Sequence, residues 1–322
     1  MNIIQTILNR NELRARPPVL LDIGASGEVY GPWKEIAPYS ICIAFDPDSR
    51  EMKHLTENTS PFKELYIRDS VVIPGKEKTA DFYLTASPFC SSTLKPDTEK
   101  TAHWIIGPRF EVEKRVTRKA ENINDVLSEI KLDRIDWFKT DSQGTDLSLF
   151  QSIGSLAYTV MVADFEPGII DAYHGEDKAW QVLRYMEKMP FWMTTMRVMG
   201  VRRLKNEIKK SLSASENRAL STATSEAPGW IEMSFVNEMT DKSFTIREYL
   251  LMWIFATLKR QDGFALEIAE RGSALFNDPL FQELAAESKK LVNQRYRYNR
   301  VAGKILRVLH TTKKMLKGIL QQ

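Results

Sequence analysis

Cysteine is nearly absent from this chain: Cys42 and Cys90 are the only two in 322 residues. With no CxxC pair and no companion His cluster, a disulfide framework and a Cys-based zinc site are both excluded. Long apolar runs are missing too. The longest, Tyr249 to Leu258, is about half of the roughly 20 residues that a spanning helix needs. The first residues lack the basic-then-apolar pattern of a secretory signal. These absences lead us to expect a reducing, cytoplasmic setting for a chain that does not cross a bilayer.

Acidic residues are missing altogether from residues 288 to 322, which hold ten Lys and Arg. The whole chain carries +3, so the remainder carries −7. Val301, Ile305, Val308, Thr312, Met315 and Ile319 fall on one helical stripe, widened by Leu309 and Leu316. Lys304, Arg307, Lys313, Lys314 and Lys317 flank or oppose it. Such a basic amphipathic helix has three uses. It can pack on its own protein or self-associate, it can lie on an anionic membrane surface at the inner face, or it can meet nucleic acid, which fits least.

Apolar residues make up 43% and charged residues 27%, enough to build a sizeable core. At about 100 to 200 residues per domain, there is room for one large unit and a smaller one. After a short helix at 2–10 and Pro17-Pro18, the apolar runs Val19–Ile23 and Ile41–Phe45 read as buried strands with the spacing of a β-α-β unit, a helix following to about Asn58. Further strands are expected at 65–73, 80–85, 112–117, 136–140, 159–165, 191–197 and 230–236, with helices at 122–130, 144–153 and 176–189. This alternation predicts an α/β fold: a Rossmann-like, mostly parallel, seven-stranded sheet with helices on both faces. Residues 1–18 form an N-terminal helix and linker, and 19–240 the α/β domain. Polar residues 203–228 read as a mobile loop or lid. From 241 to 322 the pattern is helical only, at about 245–260, 263–273 and 278–296, and then the basic helix.

Asp22-Ile23-Gly24-Ala25-Ser26-Gly27 places two glycines directly after a buried strand, where a missing Cβ lets a ligand approach the backbone. Asp46 ends the next strand, where an acid can accept hydrogen bonds from both hydroxyls of a ribose. The third glycine of the dinucleotide fingerprint is absent and no Lys follows the turn. A nucleoside cofactor without phosphate, S-adenosylmethionine, suits the turn better.

The string from Leu20 to Gly27, with Ala44-Phe45-Asp46-Pro47, resembles the opening of class I S-adenosylmethionine-dependent methyltransferases. Three later segments, Ser87–Leu94, Asn122–Leu127 and Ile135–Asp146, are similar to the serine pair and the K-x-D-x-x-G-x-E segment of the FkbM family. Here Asp146 stands where Glu is commonest, and Ser26 where Asn is usual in the turn. The resemblance covers residues 19 to about 200. It implies methyl transfer to a hydroxyl, frequently on a sugar of a natural product or surface glycan, in a Rossmann-like fold with a final antiparallel strand.

Transfer to an alkyl hydroxyl needs the acceptor aligned and its proton removed. Asp141, Glu166 and His174 are the candidate catalytic groups. Asp22, Gly24, Ala25, Ser26, Gly27, Asp46, Ser91 and Ser92 are the candidate cofactor-binding ones. Asp141, Asp164 and Glu166 would be the ligands of a divalent metal, though none is expected. Lys139 is expected to pair with a carboxylate rather than react. Two other readings stay open: transfer to a non-sugar hydroxyl or carboxyl, and a non-catalytic scaffold that binds a partner or membrane through its helical tail.

Overall fold

Every residue of Val19–Ile23 (β1) and of Ile41–Phe45 (β2) is buried, as β-rich runs without alternation require of a sheet covered on both faces. The remaining strands are β3 (Glu64–Arg68), β4 (Val71–Val72), β5 (Thr79–Thr85), β6 (Val112–Glu121), β7 (Trp137–Thr140), β8 (Val162–Phe165), β9 (Phe191–Val201) and β10 (Ala227–Asn237). This computed structural model describes the chain apart from residues 1, 26–28, 49–59 and 320–322 and the side chains of 299 and 301–319. Two compact units result, residues 1–243 and 244–322.

The first unit is α/β. Its seven-stranded sheet runs β3-β2-β1-β7-β8-β10-β9. The first five strands pair in parallel, and β10 is antiparallel to both neighbours. The crossover from β3 at one edge to β7 beside β1 reverses the strand order, leaving a crevice outside the carboxyl ends of β1 and β7. A second sheet, β4-β6-β5, follows the first three strands in the chain.

Eight helices accompany the sheets among the described residues. In chain order they are α1 (Ile3–Leu8), α2 (Asn11–Ala15), α3 (Thr98–Thr101), α4 (Ile123–Glu129), α5 (Asp146–Ser152), α6 (Ala179–Met186), α7 (Asn206–Ser211) and α8 (Ala214–Ala223). Val19, Leu21, Phe138, Ala163 and Phe165 point to one face and pack with Val126 of α4, Phe150 of α5 and Val182 of α6. Phe150 meets Phe138 and Phe165 edge-on at centroid distances of 5.1 and 5.3 Å. Each such ring contributes about 1.5–3 kcal/mol by burial. Strand alternation sends Asp22, Trp137, Lys139 and Asp164 to the opposite face, where Trp137 packs edge-on against Trp33.

Several local expectations need correction. Between β1 and β2 the described residues form two short 3-10 turns, Gly31–Trp33 and Ala37–Tyr39, in place of an α-helix. Pro32 and Pro38 cannot donate to an α ladder, which accounts for the difference. The helix expected up to Asn58 lies largely outside the described residues. The run 65–73 is split into β3 and β4 at Asp69-Ser70. Residues 203–228 are helical in α7 and α8, with no buried side chain in either helix. Ser213 and Glu216 cap α8 reciprocally, a local signal that needs no core.

The second unit holds α9 (Ile246–Leu258), α10 (Asp262–Phe276) and α11 (Leu280–Ile319). A capping box from Thr245 and Glu248 starts α9. The two helices expected after residue 278 are one helix of 40 residues. No proline interrupts 280–319, so nothing forces a break.

Candidate functional site

Gly24 follows β1 with φ +75°. Its N–H and that of Ala25 donate to the Phe45 carbonyl at 3.0 and 3.2 Å, which folds the turn against the end of β2. A Cβ at Gly24 would press into the carbonyl oxygen of Asp141. The position therefore needs glycine both for its left-handed backbone and for the close approach of the β7 loop.

Beside this turn lies a cleft. Asp46, Asp48 and Asp141 line it together with Val71, Phe82 and Ser91, and no Lys or Arg does so among the described residues. Asp46 is buried and is held by the Asp48 N–H, which donates to its Oδ1 at 2.8 Å.

Asp141 begins the loop after β7. Its N–H donates to the Ile23 carbonyl at 2.9 Å, extending the β1–β7 ladder by one residue. The next turn requires positive φ at Gln143 (57°) and at Gly144 (112°). Gln143 pays for its left-handed backbone with two side-chain contacts. Its Nε2 donates to Asp141 Oδ1 at 2.5 Å, and its Oε1 accepts from the Tyr173 hydroxyl at 3.0 Å.

A second cleft adjoins the same loop. Glu166, Glu176, Arg109, Tyr173 and Trp230 line it, and it shares Phe89, Asp141 and Gln143 with the first. The two clefts therefore meet at a carboxylate. Burial raises the Asp141 carboxyl above the usual range, against the pull of the Lys139 charge. Burial, then the charges of Asp141 and Glu232, push Glu166 up to about 8. Asp146, at the first turn of α5, is raised to about 7 by burial and by Asp141. Glu176 instead accepts from Lys178 at 2.6 Å and from the Ala172 N–H at 2.7 Å, so it braces the cleft wall.

Of the candidate residues, Gly24, Asp46, Ser91 and Asp141 line the first cleft, and Asp141 and Glu166 the second. Ala25 is buried in the turn, whereas Ser26 and Gly27 lie outside the described residues. Asp22 lines neither cleft. It accepts from Lys139 Nζ at 2.8 Å, and the same ammonium donates to the Gly24 carbonyl at 3.0 Å. Burial works against the Lys139 charge, but Asp22 and Asp141 outweigh it and hold the ammonium protonated.

Ser92 is buried and donates to the Gln143 carbonyl at 2.8 Å, tying its segment to the β7 loop. His174 has an exposed side chain 3.7 Å from Asp97 and lines neither cleft. The set Asp141, Asp164 and Glu166 is not assembled as a metal centre. No three His, Cys, Asp or Glu side chains converge on a common point among the described residues, and Asp164 accepts from the Trp137 indole at 2.8 Å.

Sequence reasoning missed Gln143, Phe89, Arg109 and the bracing pair Glu176–Lys178. Gln143-Gly144 behind a strand is a turn signal, so Gln143 was open to discovery. The others come from loops whose convergence no spacing reveals. The chain matches no family model, no curated protein and no solved structure.

Proposed function

We propose that the chain is an S-adenosylmethionine-dependent O-methyltransferase that acts on a hydroxyl, in first place a sugar hydroxyl of a glycan or natural product. The acid-lined first cleft carries this reading. Its described lining residues include three aspartates, Asp46, Asp48 and Asp141, an acceptor set that suits a cationic, phosphate-free cofactor. The order of the sheet, with its reversed β10, agrees with the fold that the methyltransferase resemblance implies.

In this reading Asp46 accepts hydrogen bonds from the ribose hydroxyls, and Val71, Val72 and Phe82 receive the base. When bound, S-adenosylmethionine supplies an electrophilic methyl on a positively charged sulfur. The acceptor occupies the second cleft and reaches the junction at Asp141. Gln143 fixes one oxygen of the Asp141 carboxylate, leaving the other to orient the acceptor hydroxyl. Glu166, raised to about 8, takes the acceptor proton in its ionised form, whose share grows as pH approaches that value. The sugar itself rests on the resemblance of the Ser87–Leu94 and Ile135–Asp146 segments.

Calorimetric titration with S-adenosylmethionine and S-adenosylhomocysteine tests the cofactor. Binding by the intact protein that is lost in Asp46→Ala is the expected result. A folded protein that binds neither ligand overturns the reading. Label transfer to glycan acceptors then tests the reaction.

A further inference from the structure

The clearest unassigned feature is the basic sequence that closes α11. This helix runs 40 residues, about 60 Å at 1.5 Å per residue. Only its beginning belongs to the core of the second unit. Phe281, Leu284, Ala285 and Ser288 are buried, and Ser288 accepts from the Trp253 indole at 2.9 Å. Beyond that point Val292, Tyr296 and Tyr298 are exposed, Tyr298 by 75%. The last anchors are Arg295 to Asp262 at 3.0 Å and Arg295 to the Thr257 carbonyl at 3.3 Å.

In the sequence register, the apolar positions from Val301 to Ile319 do not continue the set Phe281, Leu284, Ala285 and Ser288. On an ideal helix their centre lies roughly 140° round from the centre of the Phe281–Ser288 face. Tyr298 falls within the arc of the stripe and is the most exposed large apolar side chain among those described.

We infer that residues 296–319 form an interfacial helix that docks on an anionic phospholipid surface, with the Val301–Ile319 stripe toward the acyl boundary. Charge selects this occupant. Ten Lys and Arg stand in residues 288–322 with no acid. A second copy would bring the two basic arrays together and repel. A nucleic acid would neutralise the charge and leave the stripe wet. An anionic bilayer surface satisfies both the charge and the stripe. The helix lies on the surface rather than through it, since among the described residues no helix is long and apolar enough to cross a membrane.

The test uses the full chain in flotation with vesicles of phosphatidylcholine alone, or of phosphatidylcholine mixed with phosphatidylglycerol, at low and high salt. The intact protein should float with the anionic vesicles only, and less at high salt. Replacing Lys304, Arg307, Lys313, Lys314 and Lys317 together by Gln should weaken partitioning on the order of a hundredfold or more. Ile305→Asp with Met315→Asp should abolish flotation while the basic charge stays. Either variant floating like the intact chain overturns the proposal. So does an intact chain that ignores both vesicles, or one that instead dimerises in sedimentation equilibrium or binds duplex nucleic acid. Should a variant lose helicity, amide exchange on the intact chain decides. Residues 296–319 must gain protection on anionic vesicles, and unchanged exchange sinks the idea. None of these readouts depends on S-adenosylmethionine.

Discussion

Gln143 holds Asp141: the amide Nε2 donates to the carboxylate Oδ1 at 2.5 Å, from a residue whose own φ is 57°. A left-handed backbone at a non-glycine residue costs of order 1–3 kcal/mol, and here it places the amide between Asp141 and Tyr173. Gln143→Gly should therefore separate stability from activity. We expect thermal unfolding to stay the same or rise slightly, because the backbone strain is relieved. Methyl transfer should fall about 10-fold to 100-fold as Asp141 loses its orientation. Parallel loss of both would show that the side chain serves only the fold.

Gly24 tests the turn. Gly24→Val adds a Cβ against the Asp141 carbonyl at a residue with φ +75°. The variant should lose about 2–4 kcal/mol of stability and all measurable cofactor binding, read by denaturant unfolding and calorimetry. Normal affinity in this variant would move the cofactor away from the turn.

The pH dependence follows from Glu166, whose carboxyl is raised to about 8 in the folded protein from an ordinary 4.5. Between these values the folded state binds more protons than the unfolded state, so this group makes stability fall as pH rises from about 4.5 to about 8. Below that window it contributes no penalty, and above it the penalty is constant. Glu166→Gln should flatten this slope and stabilise the protein at alkaline pH, seen as Tm against pH. If Glu166 is the base, transfer in the parent rises with pH toward a limb near 8, and the limb disappears in the variant.

Lys139 and Asp22 form a buried pair at 2.8 Å. Removing the ammonium in Lys139→Met leaves an uncompensated carboxyl, expected to cost about 3–5 kcal/mol. Lys139→Met with Asp22→Asn should recover much of that loss in urea unfolding. Additive losses in the double-mutant cycle would mean that the two groups do not depend on each other.

Much of the fold was legible because buried parallel strands announce themselves as unbroken apolar runs. β1 and β2 are such runs, and Asp46-Pro47 marks where the second stops. The K-T-D-S-Q-G stretch likewise marked its loop. Less could be read where tertiary packing outweighs local pattern. The β-α-β spacing of the first two strands implies a helix between them, yet the described part of that connection holds two 3-10 turns with Pro32 and Pro38. Asp22 looked like part of a cofactor turn, but alternation across β1 turns it to Lys139, a partner from a strand more than a hundred residues further on. Phe89 and Arg109 reach the clefts from loops, and no periodicity encodes such a meeting.

The position of β10 constrains how the first unit assembles. Although it is the last strand in the chain, it sits between β8 and β9, bonded antiparallel to both. Until residues 227–237 arrive, β9 has no sheet to join and β8 exposes an open edge. In the finished sheet β10 is the strand that joins β9 to the parallel strands. Chains cut short before β10 would leave β8 free to capture other strands, so aggregation, rather than a smaller folded domain, is what truncation there should produce.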